Sequence, residues 1–304
     1  MRWTPDVSSG DWLHERVDDP WRGTIHDFAP RGFAAYARVL HPVWRDGETE
    51  RVTWADVATA FGTTMHPLAQ WHRLVHAEDP YATGRAVDAD GRRYDAPQQG
   101  RLDAETLATV VGHGIAHTAA PDDAGIAIWE GWGGVLGFYG ETPARTILTA
   151  AFDDADAADV EYVSIRARHQ AMLERSIPDP FNNVFRKPTW QPGILADEVS
   201  RGARLSLPGR DHVLFRGALA ELADPAWPER VPWTDRDAPQ WTASPSIVWP
   251  DDRAWVLVTE VDVDSTIVGG SAELVDALLN DPRIEALPLP PDASLSWDAD
   301  RVNA

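Results

Sequence analysis

The sequence predicts an α+β fold: a mixed β-sheet with packed helices and a single core across residues 1–304. Three observations carry that expectation. Residues 244–279 read as a strand at 246–249, a turn at Pro250-Asp251-Asp252, a returning strand at 255–263, and a helix opened by Gly269-Gly270-Ser271. In the returning strand Trp255, Leu257, Thr259, Val261 and Val263 share one parity, and Val256, Val258, Glu260, Asp262 and Asp264 the other. Residues 102–117 place Leu107, Val110, Val111 and Ile115 on one helical stripe behind Asp103, an N-cap, with Leu102 and Leu107 spaced as a hydrophobic staple. Apolar runs at 33–40, 125–129 and 204–215 supply further strands, the last folding back at Pro208-Gly209-Arg210.

Taken in order, residues 1–30 are rich in Pro, Asp and Gly and read as an extended N-terminal arm packed by Trp3, Trp12 and Trp21. The strand at 33–40 meets Pro42. Asp46-Gly47 makes a turn, 51–53 a short strand, and Thr53 caps a helix that runs to Phe61 and stops at Gly62. A second short helix follows at 68–76. Residues 79–100, with Asp-Gly and repeated Arg and Asp, read as an exposed loop. The strand at 125–129 leads into a Gly-rich turn at 131–134. Residues 141–203 read as an inserted helical or irregular lobe, with a helix over 160–175. A Pro-rich loop at 224–239 delivers the chain to 244–279, where Leu274, Val275 and Leu278 form the buried stripe of the last helix. A short extended piece at 284–289 precedes a Pro-rich tail.

The net charge is −21, with 48 acidic residues against 27 basic ones. A surface that tracks phosphates needs clustered Lys and Arg, so neither nucleic acid nor an anionic membrane is an expected partner. There is no cysteine, which excludes disulfides, thiolate metal sites, cysteine nucleophiles and iron–sulfur clusters. The N-terminal stretch lacks a basic start followed by an apolar segment, and nowhere do about 18 apolar residues run together; a cytoplasmic protein is expected.

Fifteen tryptophans are the unusual abundance. Trp129, Trp132 and Trp249 sit beside turn residues, and Trp255 opens a strand. A tryptophan near a loop offers a flat apolar face and one donor to a sugar, peptide or aromatic ligand, although the same ring also fills cores. The leading expectation is a non-enzymatic protein that binds a partner protein or small ligand through Trp-lined loops, with no cofactor. Gly269, Gly270 and Ser271 present backbone amides at a helix start, where a phosphate or carboxylate can be held. They lack the third glycine of a dinucleotide loop and the lysine of a P-loop.

The alternative rests on Glu260, Asp262 and Asp264. On a strand these three carboxylates would share one face about 6 to 7 Å apart. Such a row suits a hard divalent cation, or a raised carboxyl pKa for acid–base hydrolysis, for instance of glycosides. His113 and His117 have the i, i+4 spacing of a zinc pair, but the residues between them lack the metalloprotease glutamate. Histidines favourable to a helix C-terminus are the expected reading, and no metal is expected there. No G-x-S-x-G nucleophile motif is present.

The segments at 35–42, 66–75, 128–134 and 212–219, and above all WPDDRAWVLVTEVDVDSTIVGGSAELVDALLNDPRIEALPL at 249–289, carry a resemblance across most of the chain. On these the chain resembles a family of uncharacterised actinobacterial proteins with no assigned activity. The resemblance implies a soluble bacterial protein and says nothing of chemistry.

Overall fold

Alternating side chains along the central strands sort the interior into two faces of one sheet. The computed structural model describes residues 1–18, 22–47, 50–79, 84–140 and 189–304. In chain order the elements are β1 (Arg2–Trp3), α1 (Asp11–His14), β2 (Ala35–Leu40), β3 (Val43–Arg45), β4 (Glu50–Val52), α2 (Trp54–Phe61), α3 (Trp71–Leu74), β5 (Ala86–Val87), β6 (Arg93–Asp95) and α4 (Ala104–Ala116). There follow β7 (Ala124–Trp129), β8 (Phe138–Gly140), β9 (Thr189–Gln191), α5 (Asp197–Ser200), β10 (Leu205–Leu207), β11 (Arg210–Gly217), β12 (Ile247–Pro250), β13 (Val256–Thr259), β14 (Ser265–Gly270), α6 (Ala272–Leu279) and β15 (Ala286–Leu289).

Nine strands form the main sheet in the order β1-β11-β7-β12-β13-β14-β2-β15, with β10 paired to β11. The α+β class is as expected, and the strands expected at 33–40, 125–129, 204–215 and 246–249 all lie in this sheet. Its pairings are all antiparallel among the described residues, so the sheet is not mixed in direction. One face, with Ile126, Val213, Phe215, Val248 and Leu257, packs under α4 and α6. The opposite face, with Ala127, Leu214, Ile247, Val256, Val258 and Leu289, is covered by Trp12, Leu13 and Ile25 from the N-terminal segment and by Ala293 after β15. Sheets buried on both faces read as near-continuous apolar runs, as β7, β12 and β13 do.

A four-stranded sheet, β4-β3-β6-β5, carries a separate core of Val43, Trp54, Val57, Leu74 and Tyr94. Helix α2 starts at Thr53 in a reciprocal capping box with Asp56 and ends at Gly62, which takes the left-handed conformation at φ 71°. The Glu285 carboxylate also accepts hydrogen bonds from the Trp54 and Ala55 amides at 2.6 and 3.0 Å, tying this helix start to the chain before β15.

Several expectations are corrected. The expected extended arm at 1–30 holds a short helix, because burial of Trp12 and Leu13 fixes α1 against the sheet; Trp21, expected to pack the arm, lies outside the described residues. Residues 79–100 include the β5–β6 pair, which closes around Asp90-Gly91 and is held by pairing of β6 with β3. Within the expected lobe, 189–203 belongs to the main core through Leu195 and Val199; residues 141–188, including the helix expected over 160–175, lie outside the described residues. The strand expected to reach Val263 stops at Thr259. Residues 260–264 turn the chain, the Val263 amide donating to the Glu260 carbonyl at 3.1 Å and the Val263 carbonyl accepting from the Gly100 amide at 2.9 Å. The chain then returns as β14. Among the described residues no helix is long and apolar enough to cross a membrane.

Candidate functional site

The turn at 260–264 dissolves the expected row of three carboxylates. Glu260 and Asp262 converge on Arg210, which opens β11: Nε donates to Glu260 Oε1 at 2.6 Å and Nη2 to Asp262 Oδ2 at 2.5 Å. Burial works against the Arg210 charge, but the two carboxylates outweigh it and push the guanidinium pKa up. Asp264 turns away, to Arg38 Nη2 at 3.3 Å. Arg38 is fully buried, with further hydrogen bonds to Ser265 Oγ and the Pro67 and Ala69 carbonyls. Among the described residues no group of three or more His, Asp or Glu side chains is placed to hold a metal ion.

The tryptophans divide in the same way. Trp249 and Trp255 are each 1% exposed, so neither lines a binding surface, contrary to expectation. Trp249 lies over its cross-strand partner Gly125, where a Cβ would come within 2.2 Å of the indole. Trp255 lies over Gly114 of α4, where a Cβ would come within 2.4 Å, and its Nε1 donates to the Gly114 carbonyl at 2.8 Å. These rings fill the space that the missing methyl groups leave, which is a core role. Gly269 and Gly270 are not free amide donors at a helix start either. They end β14, in register with Tyr36 and Ala35 of β2, and Ser271 is the N-cap of α6, its hydroxyl accepting from the Leu274 amide at 3.2 Å. His113 bonds Asp281 at 2.7 Å, and Arg283, with help from His113, holds that carboxyl far below the usual range.

Trp129 and Trp132 remain near the surface, with ring centroids 5.6 Å apart in an edge-to-face contact. Trp132 lines a cleft of about 1030 Å³ together with Phe138, Trp233 and Trp241. Two of these aromatics are well exposed, Trp241 at 48% and Phe138 at 44%. Trp233 forms part of the cleft wall, with Nε1 donating to the Ala243 carbonyl at 2.9 Å and its ring 4.9 Å from that of Phe215. Trp241 is presented by a turn that Arg101 fixes, since one guanidinium nitrogen donates to the Gln240 and Thr242 carbonyls at 2.9 and 2.8 Å. The same guanidinium lies 5.7 Å from the Trp241 ring centroid. Gln191, Thr234 and Asp235 add polar groups to the cleft.

Sequence reasoning found Trp132 but missed Trp233 and Trp241, which sit in and just after the Pro-rich segment; their signal was the same neighbourhood of Trp and Pro that singled out Trp249. It also missed Arg210, whose only mark was its place after a hairpin turn. Arg210, Glu260 and Asp262 border a second cavity, of about 460 Å³, on the face of the sheet that the N-terminal segment covers. No family model matches the chain, and neither does any curated protein or solved structure.

Proposed function

We propose that this is a cytoplasmic binding protein, not a catalyst, whose ligand is a neutral oligosaccharide seated in the Trp-lined cleft. The observation that carries the reading is the convergence of Trp132, Trp233, Trp241 and Phe138 on one cleft, with Trp241 and Phe138 kept in solvent. Leaving large aromatic surface exposed is unfavourable unless something stacks on it. Sugars present flat C–H faces edged by hydroxyl groups, which match indole faces flanked by the amide of Gln191, the hydroxyl of Thr234 and the carboxylate of Asp235. The volume lies at the upper end of small-molecule sites and suits several sugar rings.

The test is a printed array of neutral oligosaccharides, followed by calorimetry on the best binder with wild type and Trp241→Ala. Saturable binding that falls at least tenfold in the variant, at an unchanged melting temperature, supports the reading. An array without binders, or affinity indifferent to Trp241→Ala, overturns it.

A further inference from the structure

The second cavity, of about 460 Å³, interrupts the cover of the main sheet. Ile247 and Val258 of the sheet, both buried, belong to its lining, together with half-buried Phe28, Leu207 and Val261. Phe28 and Leu207 otherwise pack against the core on this face. Protein interiors are about as dense as organic crystals, with few voids larger than a water molecule. A gap of this volume over core side chains has instead the size of a small-molecule site.

The charges in this lining disfavour an ionic ligand of either sign. Arg210 touches Glu260 at 2.5 Å and Asp262 at 2.5 Å, so these charges are already matched. Asp27 gives one carboxylate oxygen to the Gly23 amide at 2.9 Å, and its other oxygen is buried out of reach. An ammonium entering the cavity would surrender its hydration without meeting an uncompensated charge. An anion would face three carboxylates against one guanidinium. Hydrogen-bonding capacity nevertheless remains. Among the described residues Arg210 Nη1 and Glu260 Oε2 have no hydrogen-bond partner, and the two side chains stay 24% and 19% exposed. A guanidinium nitrogen only donates and a carboxylate oxygen only accepts. Because the two groups are in contact, a hydroxyl, which accepts and donates through one atom, can serve both.

We propose that this cavity binds a small uncharged alcohol with an apolar ring body, whose hydroxyl rests on the paired Arg210 and Glu260 while the body packs on Phe28, Leu207, Ile247 and Val258. The volume holds one or two fused rings with a short side chain. The site shares no lining residue with the Trp cleft and does not rest on the oligosaccharide reading.

The experiment uses the full chain near pH 7 with three alcohols of increasing size: benzyl alcohol, 2-phenylethanol and 2-naphthalenemethanol. Their affinities are read by calorimetry and by saturation-transfer NMR. For the alcohol that binds best, the hydrocarbon, the primary amine and the carboxylate of the same skeleton are the controls. At least one alcohol should bind saturably at one site, its hydrocarbon at least fivefold more weakly, and its amine and carboxylate at least tenfold more weakly. Leu207→Trp, which fills the cavity from a half-buried position, should weaken the alcohol at least tenfold, and Phe28→Ala, which removes a wall, at least fivefold. These two changes lie on different segments, and the one that keeps the wild-type melting temperature decides. Trp241→Ala should leave binding intact. The proposal is overturned if none of the three alcohols binds saturably, or if the hydrocarbon, amine or carboxylate binds as well as the alcohol. Affinity that survives the deciding cavity variant, or that is lost in Trp241→Ala, overturns it equally.

Discussion

The guanidinium of Arg210 lies 5.1 Å from the centroid of the Trp129 indole while its nitrogens bond Glu260 and Asp262. One side chain at the start of β11 thus joins the end of β7 to the β13–β14 turn. Arg210 and Glu260 are mostly shielded, whereas Asp262 is 80% exposed, so the Glu260 pair dominates and the Asp262 pair adds little. Arg210→Ala leaves Glu260 half-buried without its cation and should cost about 2 kcal/mol of stability in urea denaturation. Arg210→Lys should recover only part of this, since an ammonium cannot reproduce the forked contact or the stacking on Trp129.

Gly114→Ala should be disruptive although it adds a single methyl group, because the position is buried on α4. A methyl there meets the Trp255 ring at 2.4 Å, and overpacking of this kind costs about 1–3 kcal/mol. Adding Trp255→Phe should return part of the loss by making room. Chemical denaturation of the two single variants and the double variant gives the coupling, and additive losses would contradict the contact.

Acid should weaken the fold through His212. Burial holds its pKa at about 4 in the folded chain, against about 6.5 unfolded. Below about pH 6.5 the unfolded chain takes up a proton that the folded chain refuses, so stability falls as pH drops towards 4. The loss from this residue is at most about 3 kcal/mol. Wild type should therefore lose more stability than His212→Gln between pH 7 and 4.5, as measured by urea midpoints. Parallel pH curves for the two proteins would refute the assignment.

Glu285→Ala removes the carboxylate that accepts the Trp54 and Ala55 amides at the start of α2. Two helix-terminal donors lose a partner and the helix dipole loses an anion, a cost of about 1–2 kcal/mol. Thermal unfolding should show a lowered midpoint, and Glu285→Gln, which keeps an acceptor, should fall between wild type and Glu285→Ala.

Where local signals were complete, the sequence reading succeeded. Thr53, Gly62, Asp103 and Ser271 each mark a helix boundary through a contact within a few residues, and α2, α4 and α6 begin or end there. The Pro208-Gly209 turn likewise marked the β10–β11 pair. The β13–β14 turn gave no such signal. Glu260-Val261-Asp262-Val263-Asp264 alternates at the period of a strand and contains no Gly, Pro or Asn, and its bend is held from far along the chain by Gly100. That one misreading carried the carboxylate row with it. The tryptophans failed for a related reason. Nearness to proline or glycine in sequence does not say whether a ring meets solvent or a distant glycine, and Gly114 lies 141 positions from Trp255.

The rings resting on bare α-carbons at Gly125 and Gly114 also couple volumes at positions far apart in the chain. A side chain gained alone at either glycine collides with an indole, and an indole reduced alone leaves a void, so each single change is costly in its own way. Room for a side chain at 125 has to come from the ring at 249, and room at 114 from the ring at 255. Each pair therefore behaves as one shared volume instead of as two independent letters.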